Sequence, residues 1–153
     1  MSRHHQLDEA QLSEPTSVLV VGTDDWAVEQ VSATLSEAGC QILTCHPPGE
    51  PVFPCNALVE GRTCPLDAGF SVVVTVRARP VDQPIPGELG VICGLHAGAP
   101  LVIAGMSARN PFLPWAARSV GPGESLPAVV VGVAASARVP AAADVRMKEP
   151  APV

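Results

Sequence analysis

The run Ser71-Val72-Val73-Val74-Thr75-Val76 constrains the fold of this chain more than any other segment. From Val72 on, every residue is branched at Cβ, which stiffens the side chain and favours the pleated, extended backbone. The run shows no alternation of polar and apolar residues, so both of its faces need cover, as in a central strand of a parallel sheet flanked by helices. Shorter runs of the same character precede and follow it: Val18-Leu19-Val20-Val21, closed by Gly22, then Gln41 to Cys45, and Pro100-Leu101-Val102-Ile103-Ala104. Pro127 to Val133 reads as a fifth strand.

Helical patterns lie between these runs. Ala27, Val31, Leu35 and Ala38 recur at helical spacing after Thr23 or Asp24 as N-cap, and Gly39 supplies the C-terminal stop. Gly87 to Ala97 places Leu89, Ile92, Cys93 and His96 on one side of a second helix, and Asn110-Pro111 opens a third that runs to about Ser119. Strands alternating with helices predict an α/β fold: a five-stranded, mainly parallel sheet with helices on both faces, in three layers.

The 153 residues fit one domain, and 47% hydrophobic against 16% charged residues excludes a disordered chain. Residues 1–16 lack hydrophobic periodicity and read as a flexible lead-in; 17–137 form the α/β domain, and 138–153 a Pro and Ala-rich tail. A net charge of −6 with nine scattered basic residues argues against nucleic acid, which needs clustered Lys and Arg. No apolar run reaches the roughly 20 residues of a membrane span. Asp8 and Glu9 follow the start where a secretory segment would turn apolar, so a cytoplasmic location is expected. There, five cysteines favour free thiols or metal ligation over structural disulfides.

The element order, the acid pair Asp24 and Asp25 just after the first strand, and the length resemble the receiver domain of bacterial response regulators over residues 17–136. The resemblance implies a flavodoxin-like strand order 2-1-3-4-5 and a functional edge at the carboxyl ends of the strands. In that family two acids bind magnesium, an Asp ending strand three accepts phosphate, a hydroxyl residue ends strand four and a Lys ends strand five. Asp24 and Asp25 match the acids and Ser107 the hydroxyl, but strand three runs into Val76-Arg77-Ala78-Arg79 and strand five into Val133-Ala134-Ala135-Ser136, with neither acceptor Asp nor Lys. The resemblance therefore implies a phosphorylation-incompetent, regulatory version that works through a protein partner or a small ligand, with a homodimer also open. Its edge would be Asp24, Asp25, Arg77 and Ser107, and Arg77 and Arg79, ending a central strand, would take either an anionic partner or an ion pair with Asp24 and Asp25. Gly22-Thr23-Asp24-Asp25-Trp26-Ala27 has one glycine where a dinucleotide fingerprint needs three.

A second candidate site is the segment from Cys45-His46 through Cys55 to Cys64, dense in proline and outside any helix or strand. Three thiolates and an imidazole are a zinc ligand set, although Cys45 and His46 are adjacent and no C-x2-C knuckle occurs. A Cys55–Cys64 disulfide and plain burial of the thiols as small hydrophobes are the other two fates open to it. No nucleophile, base and orienting group stand out together, and Glu60 and Glu88 have no discernible companions for acid–base work.

Overall fold

The computed structural model describes residues 14–47, 49–79, 82–105 and 109–137. Five strands, β1 (Ser17–Gly22), β2 (Gln41–Leu43), β3 (Val72–Arg77), β4 (Leu101–Gly105) and β5 (Arg118–Ser119), form one sheet in the order β2-β1-β3-β4-β5. Every neighbouring pair is parallel, with Val18 beside Val72, Val73 beside Leu101 and Val102 beside Arg118. The expected α/β architecture and strand order are thus those of the protein. β3 is central, and all of its residues are buried.

Side chains alternate across each strand, which sorts the core into two clusters. Val18, Val20, Val72, Val74, Val76 and Val102 face one side, where α1 (Asp25–Glu37) brings Ala27 and Leu35, and α4 (Leu126–Ala137) brings Val130 and Ala134. Leu19, Val21, Val73 and Leu101 face the other, where α3 (Leu89–His96) brings Val91. The two faces are unequally covered. Helices of 13 and 12 residues lie over the first, whereas the second has the eight-residue α3. The β2–β3 connection is a long irregular segment carrying a 3-10 turn at Asn56–Leu58 and the four-residue α2 (Pro65–Ala68).

Two expectations at the carboxyl half are overturned. Pro127 to Val133 is not a strand but the body of α4, and the stretch after Asn110 is not a helix but a turn, a 3-10 turn at Leu113–Trp115 and then β5. In α4, Val130 and Ala134 are buried one helical turn apart while Val131 is 45% exposed, a period of nearly four that a strand cannot have. After Asn110, the side chain takes the backbone N–H of Phe112 at 2.9 Å, a local turn that competes with helix, and Pro114 has no N–H to continue one. No helix among the described residues is long and apolar enough to cross a membrane.

Candidate functional site

Asp24, Asp25 and Arg77 do share the carboxyl edge of the sheet, because Gly22 of β1 lies beside Val76 of β3. They do not meet. Arg77 follows Val73 and Thr75 in the alternation and so projects toward the α3 face, while Asp24 and Asp25 begin α1 on the opposite one. Arg77 pairs instead with Glu88: Nε donates to Oε1 at 2.6 Å and Nη2 to Oε2 at 2.5 Å, and Nη2 also donates to the carbonyl of Gln83 at 2.9 Å. The two side chains are 1% and 0% exposed, so a fully enclosed bidentate ion pair joins the end of β3 to the turn Pro86–Glu88 that leads into α3. Glu88 also accepts the backbone N–H of Ile85 at 3.1 Å. This corrects both the expected pairing of Arg77 with the aspartates and the reading of Glu88 as a residue without companions. Arg79 stays exposed. Ser107 lies outside the described residues.

The aspartates have local duties. Asp24 accepts the hydroxyl of Thr23 at 3.0 Å, and Asp25 accepts the backbone N–H of Gly49 at 3.0 Å, which moors the start of the β2–β3 segment to α1. A second set of bonds shapes that segment further on. The Asn56 amide donates to the Cys45 carbonyl at 2.5 Å, and Arg62 donates to Asn56 at 3.2 Å and to Glu50 at 2.7 Å.

Held in this way, the segment stands off from α3 and leaves a cavity of about 500 Å³ over the second face of the sheet. Its floor reaches Leu19 of β1, and its walls are the β2–β3 segment on one side and Leu89 to Cys93 of α3 on the other. The lining is almost wholly apolar and its rim is exposed: Phe53 is 78%, Leu58 73%, Leu89 50% and Ile92 48% open to solvent. A wider hollow of about 710 Å³ beside α4 is lined mainly by small residues such as Ala128 and Gly132, and brings no comparable set of reactive side chains together.

Cys45, His46, Cys55 and Cys64 all line the 500 Å³ cavity, and Cys93 of α3 joins them. Reading Cys93 as one more residue on the apolar side of its helix had hidden it from the loop thiols. All of these cysteines are free thiols. Burial, followed by the neighbouring Cys64, Cys93 and Cys55, pushes the Cys45 thiol up to about 11, so it carries its proton at neutral pH. Burial likewise pushes the Cys93 thiol up, with Cys55 and then Cys64 adding to it. Among the described residues no three His, Cys, Asp or Glu side chains are placed to hold a metal ion. Cys45, His46, Cys55 and Cys64, the expected zinc set, thus share a cavity without being grouped as metal ligands.

No family model matches the chain, and comparison with curated proteins finds no match. The site is therefore read from its geometry alone.

Proposed function

We propose that the chain is a non-catalytic regulatory and protein-interaction module of receiver-like form, whose groove beside α3 receives apolar side chains of a protein partner. The observation that carries this reading is the ring of exposed large apolar residues, Phe53, Leu58, Leu89 and Ile92, around a concave apolar floor. Contiguous apolar surface in contact with water is unfavourable and marks sites that are covered in use. A small ligand filling about 500 Å³ would cover the floor and leave the rim wet, whereas a partner surface covers both. The receiver-like form is supported by the all-parallel 2-1-3-4-5 sheet and by the acid pair that follows β1. The non-catalytic part is supported by Arg77. Where a receiver ends its third strand with an acceptor carboxylate, this chain has a guanidinium paired bidentately with the buried Glu88.

The test uses anilinonaphthalene sulfonate as an apolar probe of the folded protein. Wild type is expected to bind and brighten the dye, and the pair Leu58→Asp and Ile92→Asp to weaken binding by roughly tenfold with an unchanged circular dichroism spectrum. Equal dye binding by both proteins would overturn the groove. Native mass spectrometry of protein from its own host separates the occupants. A dimer dispersed by Leu58→Asp, or a bound second chain released by it, upholds the reading, and a retained small molecule overturns it. Incubation with acetyl phosphate and magnesium is expected to leave the mass unchanged; a stable aspartyl phosphate would sink the non-catalytic assignment.

A further inference from the structure

We propose that Cys55 and Cys93 form a dithiol that exchanges with low-molecular-weight disulfides, and that the resulting intramolecular disulfide ties the β2–β3 segment to α3 across the groove. The exchange rests on the placement of the thiols alone; its effect on binding rests on the groove reading above.

Two contacts and one helical turn bring the pair to the same groove. Cys55 immediately precedes Asn56, whose side chain is bonded to the Cys45 backbone at 2.5 Å, so the wall that carries Cys55 is tied to the backbone at Cys45. The Cys45 sulfur in turn rests on Gly90, where an added Cβ would stand 2.7 Å from it, so it lies against the first turn of α3. Cys93 follows Gly90 by three residues and therefore sits on the same side of that helix, one turn along. Cys55 and Cys93 thus face the same cavity from its opposite walls, and both are half-buried at its surface. The titration of Cys93 agrees, since Cys55 is the first neighbouring charge it feels. The Cys45 sulfur is wedged against Gly90 beneath the helix, which leaves it more enclosed than the two thiols on the walls, and Cys40 is buried in the cluster on the other face of the sheet.

The chemistry balances in two steps. The thiolate of Cys55 attacks one sulfur of a small disulfide, forming a mixed disulfide and expelling one thiolate. The thiolate of Cys93 then attacks the Cys55 sulfur and expels the second. The two protein thiols lose two protons and two electrons in total, and the small disulfide is reduced to two thiols.

The experiment treats the native full chain with oxidised glutathione, blocks the remaining thiols and maps disulfides by mass spectrometry. The expected result is loss of two of the five thiols, a linked Cys55–Cys93 peptide and full recovery with dithiothreitol. Cys93→Ser is expected to stop at one glutathione on Cys55. Five free thiols after oxidation, or a link joining any other pair, would overturn the proposal. Dye binding by reduced protein is read separately. Dye binding without the disulfide sinks only the exchange, whereas a mapped Cys55–Cys93 bond that leaves dye binding unaltered sinks the groove reading.

Discussion

A buried ion pair and a half-buried thiol carry the clearest energetic consequences of single residues. Arg77 and Glu88 are enclosed together, so truncating one strands the other's charge in a medium that cannot solvate it. Glu88→Ala is expected to lower stability by about 3 to 5 kcal/mol, read as a fall in the urea midpoint. Replacing both, as Arg77→Met with Glu88→Leu, should recover most of that loss, because apolar residues of similar volume remove the desolvation cost along with the pair. If the single and double variants are equally destabilised, the bond geometry rather than stranded charge sets the penalty. Cys45 carries a pH signature. Its ordinary value of 9.0 rises to about 11 in the fold, so between these the folded chain keeps a proton that the unfolded chain gives up. The stabilisation is complete below about pH 9 and is lost as pH climbs toward 11. The thiol is only partly enclosed, so screening leaves a loss on the order of 1 kcal/mol. Cys45→Ala should flatten the fall in urea midpoint across this window without abolishing it, because Cys40 and Cys93 shift in the same direction.

At the scale of elements, legibility followed the strength of local pattern. β1, β3 and β4 are apolar runs rich in Val, Leu or Ile, β1 and β4 closed by Gly22 and Gly105, and α1 repeats apolar residues at helical spacing up to Gly39, whose φ of 92° suits a residue without Cβ. The fourth helix and fifth strand were exchanged. A run such as Ala128-Val129-Val130-Val131 fits a buried strand and a buried helix equally well, and only the context, from Leu126 on through Ala134 to Ala137, favours the longer element. β5 is two residues long, Arg118–Ser119, and holds its place through backbone bonds to β4, which leave no pattern in the side chains. The helical assignment makes a sharp prediction. Val130→Ala should cost about 2 kcal/mol by opening a void beneath α4, whereas Val131→Ala should change stability by less than about 0.5 kcal/mol. A strand would bury alternate residues, so Val129 and Val131 would then share one response and Val130 differ from both. Chemical denaturation of the three alanine variants distinguishes the patterns.

For the molecule as a whole, the decisive feature is the unequal cover of its sheet. The sequence pointed to the right neighbourhood, the segment from Cys45 to Cys64, because cysteine, histidine and proline crowd there. It could not reveal the cavity. That depends on Cys93 arriving from α3, and on the distance at which Asp25, Asn56 and Arg62 hold the segment from the helix. The ion pair of Arg77 was equally hidden, because which face a strand residue occupies becomes known only with its register against the neighbours. The same asymmetry separates stability from binding. On the first face, buried residues between the sheet and two helices hold the fold together, whereas Phe53 and Leu58 on the groove rim are 78% and 73% exposed and contribute little to it. Phe53→Ser and Leu58→Ser are therefore expected to leave the urea midpoint within about 0.5 kcal/mol of wild type while each weakens dye binding severalfold. Loss of stability in step with loss of dye binding would mean that the rim belongs to the core, and that the opening over α3 is packing left incomplete and not a surface kept free for a partner.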